Sequence, residues 1–326
     1  MKNPLARLAG WLARRRPAPG RFSLHRKSNL HGFLAVAPAP PWREYLLYLP
    51  RGIEAIRRPP LVVWIHGCRQ DPETFAAGTR IARLADARGF VVLLPRQNRL
   101  ANSERCWNWF DRRTAAGNGE TAIVAAQTLE VIEKFGVDPG RVYLAGLSSG
   151  ATLAATLALR KPGLFSAAAF HSGVPCGAAF DAHDAGRVMA QGPRDGRTDA
   201  FALEARAEAG AKARMPALVI QGSADETVAP VNSTYLARQF VLFNGGDLPP
   251  GAALPPTLTR AGHPHAVGHV MSEYHAGGRL AARLITIPGL GHAWSGGDAA
   301  VEFFDGQHLD ATALVCDFFD AHRRRA

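Results

Sequence analysis

Apolar residues in this chain follow two patterns. Short unbroken runs, REYLLYLP (43–50), LVVWIHG (61–67), FVVLLP (90–95), VYLA (142–145), AAAFHS (167–172), ALVIQG (217–222) and LITIP (284–288), have the length and composition of strands buried on both faces. Between them lie longer stretches in which apolar positions return every three or four residues. These are 75–88, with Phe75, Ile81, Leu84 and Ala85 on one side, 120–135, and ATLAATLALR (151–160), stopped by Pro162-Gly163. Such strands alternating with helices predict an α/β fold, a mostly parallel sheet with helices on both faces. Functional groups should then gather at the carboxyl ends of the strands. A hairpin is expected over 269–287 about Gly277-Gly278, and a Pro/Gly-rich loop over 245–265. The helix-prone segment 173–216 reads either as an ordinary peripheral crossover or as a cap over the site.

Composition changes this picture little. With 326 residues, 47% of them hydrophobic, the chain can bury one substantial core, and no apolar run approaches the roughly 20 residues of a membrane span. The net charge of +11 would suggest nucleic acid if it were spread over the body. Instead, residues 1–27 carry eight Lys and Arg and no acid, Arg323, Arg324 and Arg325 close the chain, and the remainder holds 27 basic against 27 acidic residues. The predicted organisation is a basic arm over 1–40, a single folded domain over 41–322 and a basic tail over 323–326, with no specific nucleic-acid partner. Leu5, Leu8, Trp11 and Leu12 recur at helical spacing among arginines, so the arm reads as a solvated tail or as a short amphipathic helix for an anionic or apolar surface. It does not read as a signal peptide, because the apolar stretch 8–13 is short and arginines follow it. Four cysteines without a C-x-x-C pair make no disulfide scaffold, and the cytoplasm is the expected compartment.

The chemistry is concentrated in Gly146-Leu147-Ser148-Ser149-Gly150, which closes one strand and opens a helix. This is the nucleophile elbow, a sharp turn that presents a serine hydroxyl and needs glycines two residues to either side to avoid collision. A serine hydroxyl is a weak nucleophile until a base takes its proton and an acid holds that base in the right tautomer. The order Ser, Asp, His is met by Ser148, Asp225 in the loop after ALVIQG, and His292 in the loop after LITIP. Glu226 is the rival acid. His66 is read as a loop-shaping residue and His171 as a core or pocket histidine. His263, His265, His269 and His275 lack a carboxylate or cysteine in a ligand pattern, so no metal and no cofactor is expected. An oxyanion would be met by the backbone N–H groups of Ser149 and of Cys68, the latter in the loop after the HG-bearing strand. Trp107 and Trp109, in RCWNWF, are expected to wall the site.

Taken together, LVVWIHGCRQ, CWNWF, RVYLAGLSSG, FHSGVP, VIQGSADETVAPVN and PGLGHAWSGG resemble, in order and over about 61–297, the poly(3-hydroxybutyrate) depolymerase-like esterases of the α/β-hydrolase superfamily. The resemblance implies Ser148 as nucleophile, Asp225 as acid, His292 as base and Cys68 at the oxyanion hole. It also implies Trp107, Trp109 and Trp294 near a polyester-binding surface and a bridge between Cys68 and Cys106. The expected activity is hydrolysis of short-chain hydroxyalkanoate esters, as polyester or oligomer. The basic arm in place of a signal peptide favours an intracellular polyester or soluble oligomers, with secretion, which the resemblance also implies, as the alternative. Feruloyl or acetyl-xylan esterase chemistry is the alternative within the same fold, and a granule-surface protein acting through its basic arm the alternative outside catalysis.

Overall fold

A computed structural model describes residues 20–28, 42–194, 196–249, 254–261 and 268–324. The strands are β1 (Phe22–Ser28), β2 (Trp42–Tyr48), β3 (Leu61–Ile65), β4 (Val91–Pro95), β5 (Val142–Leu147), β6 (Ala167–His171), β7 (Ala217–Gly222), β8 (Leu258–Ala261), β9 (Val270–Ala276) and β10 (Arg279–Ile287), all but β1 and β8 at predicted runs or the predicted hairpin. Among the described residues they make one ten-stranded sheet in the order β1-β2-β4-β3-β5-β6-β7-β10-β9-β8. The block β4-β3-β5-β6-β7-β10 is parallel, and antiparallel ribbons extend it at both ends. A short parallel pair, β11 (Trp294–Ser295) and β12 (Phe304–Asp305), stands apart.

Period-two alternation sorts the strand side chains into two cores. Leu61, Val63 and Ile65 of β3 join one core with side chains of α4 (Gly119–Phe135), α5 (Ser149–Arg160), α7 (Arg197–Ala209) and α8 (Val231–Phe243). Val62 and Trp64 face the other, shared with α1 (Pro72–Thr79), α2 (Ile81–Arg88) and α9 (Ala311–Asp320). The remaining described α-helices are α3 (Arg112–Ala115) and α6 (Ala182–Gln191), and a 3-10 turn spans Ile53–Ala55. No described helix is long and apolar enough to cross a membrane.

Several boundaries differ from expectation. The single helix expected over 75–88 is split at Arg80, whose φ of 55° turns the chain. Just before the break, Gly78 lies so close to the Phe304 ring that a Cβ would fall 2.3 Å from it, and the Thr79 hydroxyl accepts from Trp64 Nε1 at 3.1 Å. Tertiary contacts thus override the local helical pattern. Part of the expected arm is sheet: β1 pairs antiparallel with β2, from Phe22 opposite Tyr48 to Ser28 opposite Trp42. The amphipathic pattern at Leu5–Leu12 lies outside the described residues. In the expected Pro/Gly loop, Leu258–Ala261 adds β8 to the edge of β9. The described part of the basic tail is docked, with Arg323 donating to Asp138 at 2.9 Å and Arg324 to the carbonyl of Pro139 at 2.9 Å. Segment 173–216 carries the chain from β6 to β7, and α7 lies against α8 as a crossover helix.

Candidate active site

The parallel block directs the predicted residues to one edge. Cys68 follows β3, Ser148 follows β5, His171 ends β6, Asp225 follows β7 and His292 follows β10. Ser148 has φ 56° and ψ −121°, a conformation few L-residues adopt, and its backbone N–H donates to the His171 carbonyl at 2.9 Å. Glycines make this turn possible. A Cβ on Gly146 would lie 2.4 Å from the Gly150 carbonyl oxygen, and one on Gly150 would lie 2.3 Å from that of His66. Both collisions are with backbone, so neither position accepts a side chain without moving a strand end.

Two loops from distant parts of the chain bring acid and imidazole together. Ser223 N–H donates to the Ile287 carbonyl at 2.9 Å and Ala224 N–H to that of Leu290 at 3.0 Å, and Gly222 passes so close to Leu290 that a Cβ would not fit. Zipped in this way, His292 Nδ1 lies 2.8 Å from Asp225 Oδ2 and 3.0 Å from Oδ1, and its Nε2 lies 3.0 Å from Ser148 Oγ. Asp225 is buried. Its carboxylate also accepts from Thr227 N–H at 3.0 Å, Val228 N–H at 2.8 Å and Gln221 Nε2 at 3.0 Å. Burial pushes its pKa up, but the His292 hydrogen bond and charge, the Val228 N–H and the Ser172 hydroxyl outweigh it and hold the carboxyl below its ordinary range. Glu226 is exposed and takes no part in this chain of bonds. A hydroxyl bonded to an imidazole, itself held by an ionised carboxylate, can lose its proton as it attacks a carbonyl carbon.

The loop carrying Cys68 is fixed beside the serine. A Cβ on Gly67 would stand 3.5 Å from Ser148 Cβ, and Gly67 N–H donates to Gln70 Oε1 at 2.9 Å. Cys68 is disulfide-bonded to Cys106, Arg69 N–H donates to the Glu104 carbonyl at 2.6 Å, and Arg105 pairs with Asp71 at 2.8 Å. The Ser149 N–H opens α5, where an N–H has no acceptor one turn back. His66 is buried, with Nδ1 donating to the Gly67 carbonyl at 2.7 Å and Nε2 accepting from Gln97 N–H at 3.2 Å. Burial lowers its pKa to about 4, so it stays neutral and shapes the loop.

The tryptophans do not form an exposed wall. Trp107 and Trp294 are 2% and 1% exposed and Trp109 is 6% exposed, so none offers a flat face to a polymer. Trp107 Nε1 donates to the His66 carbonyl at 3.0 Å and its backbone N–H donates to Ser149 Oγ at 3.3 Å, so the residue braces both segments that flank Ser148, one through its indole and the other through its backbone. Trp294 donates to the Thr312 hydroxyl at 3.0 Å and stacks on His171 with ring centroids 5.2 Å apart. Trp109 packs with Val174, Val188 and Val228, joining α6 to the loop of Asp225. A polar support missed in the sequence lies behind them. The buried Glu120 carboxylate accepts from Asn108 N–H at 2.7 Å and from Asn108 Nδ2 at 2.9 Å, and also from Gln97 Nε2, tying the CWNWF loop to α4. Desolvation dominates its environment and raises its pKa. A glutamate at the start of a helix after a Trp-rich loop was the available signal.

No group of three or more metal-ligating side chains occurs among the described residues; His263 and His265 lie outside them. The family model described as esterase PHB depolymerase matches residues 43–255. A poly(3-hydroxyalkanoate) depolymerase C from Paucimonas lemoignei is 32% identical over 75% of this chain and 57% of its own length, so the chain spans little more than half of that relative. Acetylxylan esterase A from Emericella nidulans is 28% identical over 70% of this chain and 74% of its own. Among solved structures, an acetyl xylan esterase from Aspergillus awamori superposes with a TM-score of 0.68 at 24% identity, over 83% of this chain and 94% of that one, which shows a shared α/β-hydrolase fold.

Proposed function

Since the chain belongs to the esterase PHB depolymerase family of α/β-hydrolase carboxylic ester hydrolases, we propose that it is a serine esterase acting on short-chain 3-hydroxyalkanoate esters through an acyl-enzyme. The observation that carries this reading is the continuous chain from Ser148 Oγ through His292 to the buried Asp225. In the proposed mechanism Ser148 Oγ attacks the ester carbonyl carbon while His292 Nε2 takes its proton. The imidazolium is held by Asp225. The N–H groups of Cys68 and Ser149 receive the oxyanion, each worth roughly 3 kcal/mol in the transition state. His292 then returns the proton to the leaving alcohol, and water, activated by the same imidazole, releases the hydroxy acid.

Burial of Trp107, Trp109 and Trp294 supports soluble esters and oligomers over adsorption to a polymer surface, because these side chains have no area left to donate. The disulfide joining Cys68 to Cys106 favours an oxidising compartment over the cytoplasm. Acetylated xylan is the second reading, favoured by the greater share of the acetylxylan esterase spanned by the match. A panel of 3-hydroxybutyrate oligomers, acetylated xylan and methyl ferulate separates them. We expect kcat/KM on the oligomers to exceed the others by at least about tenfold; the reverse order would overturn the substrate assignment while leaving the hydrolase intact.

A further inference from the structure

On the edge of the sheet opposite the triad, at the amino ends of β6, β7 and β10, lies a cavity of about 760 Å³ that the catalytic cycle above does not use. Its volume is that of a small-molecule site. Four separate segments wall it: the turn after α5, the loop between α7 and β7, the start of β10 and the chain that follows α9. Part of the lining is apolar, from Ala209, Ala213, Pro216 and Leu280. The charged lining is Lys212, Arg214, Arg279, Arg323 and Arg324, and no carboxylate lines the cavity among the described residues. Burial holds His322, which also lines it, below the ordinary histidine range, so its imidazole adds no charge at neutral pH.

The fold itself uses three of these cations. Arg323 pairs with Asp138 at 2.9 Å. Arg324 donates to the Pro139 carbonyl at 2.9 Å and to that of Gly163, and Arg214 donates to the Asn244 carbonyl at the end of α8. Cations are ordinary partners for the carbonyls at helix ends. Lys212 and Arg279 have no such task. Both are exposed, and neither side chain has a hydrogen-bond or ion-pair partner among the described residues. Even with Asp138 assigned wholly to Arg323, four cations line the cavity without a carboxylate partner. The β9–β10 turn brings two of them together: a Cβ on Gly277 would lie 3.6 Å from Arg214 Nη2, and Arg279 follows two residues later. Like charges gathered in this way repel, and an anion between them relieves the repulsion. The cavity is also set before a ligand arrives. The Asn244 side chain accepts from Met215 N–H at 2.9 Å and donates to its carbonyl at 2.8 Å, fixing the backbone beside Arg214, and Arg324 N–H donates to the Gly140 carbonyl at 3.0 Å. Such preorganisation lowers the cost of binding.

We propose that this cavity binds a small polyphosphate ester of the nucleoside triphosphate class. Four unpartnered cations call for several negative charges on one ligand, which a triphosphate chain supplies and a monocarboxylate does not. Arginine forks match phosphate oxygens two at a time, and a lysine serves as a point charge. The apolar lining at Ala209, Ala213 and Leu280 receives the base and sugar, for which a bare phosphate chain has no use. The site lies across the length of β6 from Ser148 and does not depend on the esterase reading.

Isothermal titration calorimetry of the full chain at low salt, with ATP, AMP and inorganic triphosphate, tests the proposal. One ATP should bind per chain. AMP should bind at least about tenfold more weakly for want of two phosphates, and inorganic triphosphate about tenfold more weakly for want of the base and sugar. Lys212→Ala and Arg279→Ala remove exposed side chains without partners, so the fold should survive; each should raise the ATP Kd about tenfold and leave kcat on a soluble ester within about twofold. Absence of saturable ATP binding would overturn the proposal. So would unchanged ATP affinity in the double variant, which would place the nucleotide elsewhere on this basic chain. AMP binding as tightly as ATP would overturn the polyphosphate assignment, and inorganic triphosphate binding as tightly as ATP would overturn the role of the apolar lining.

Discussion

Replacing Ser148 by Ala is expected to lower kcat on a soluble hydroxybutyrate ester by about 10⁴- to 10⁶-fold, with the fold unchanged. The size follows from what the hydroxyl does. Its Oγ is the atom aligned with His292 Nε2 at 3.0 Å, and without it the imidazole has no proton to take and the carbonyl no covalent partner. The residue's structural task, holding φ 56° between β5 and α5, is met by its backbone and Cβ, both of which alanine keeps. Steady-state kinetics checks the result, with thermal melting to confirm that the variant is folded. Turnover within tenfold of wild type would reject Ser148 as nucleophile.

Asp225→Asn should be nearly as damaging, at about 10⁴-fold in kcat. Every group around the carboxylate is a donor: Thr227 and Val228 N–H on Oδ1, Gln221 Nε2 on Oδ2, and His292 Nδ1 on both. An amide must set its NH₂ against one of these sites. If its oxygen stays with the two backbone N–H groups, the NH₂ faces His292 Nδ1. The ring then carries its proton on Nε2, where it cannot act as base toward Ser148. The variant should also be less stable at neutral pH. The folded pKa of Asp225 lies below its ordinary value, so its contribution is present above the unfolded pKa and disappears as pH falls through the folded one. The neighbouring Glu226 is exposed, and Glu226→Gln should leave kcat within about twofold. Comparable losses in both variants, measured by kcat and melting temperature, would contradict the assignment of the acid.

How far the chain could be read in advance depended on the reach of the forces involved. The parallel strands were legible because burial on both faces leaves an unbroken apolar run: β3 and β7 lie within the predicted spans, and β5 runs two residues past its own into the elbow. The Ser148 turn was legible because its glycines are a local steric requirement. The edge strands were not. β1 reads FSLHRKS, a polar and basic stretch that becomes strand only through its pairing with β2. The tryptophans misled for a similar reason: an indole suits either a ligand wall or a core with a partner for its N–H. The groups that decide, the His66 carbonyl 41 residues from Trp107 and the Thr312 hydroxyl 18 residues from Trp294, appear only in three dimensions. His171 was visible as a strand end, but its hydrogen bond from the Ser295 N–H joins β6 to β11, more than a hundred residues later in the chain.

The most direct test of the account is covalent trapping with a p-nitrophenyl alkylphosphonate, followed by peptide mass spectrometry, because the phosphonate captures whichever oxygen performs the attack. The account expects one adduct per chain, on the peptide containing Ser148, rising in step with loss of esterase activity and absent from Ser148→Ala. An inactivating adduct on Ser149 or elsewhere, or full activity after complete modification of Ser148, would contradict it.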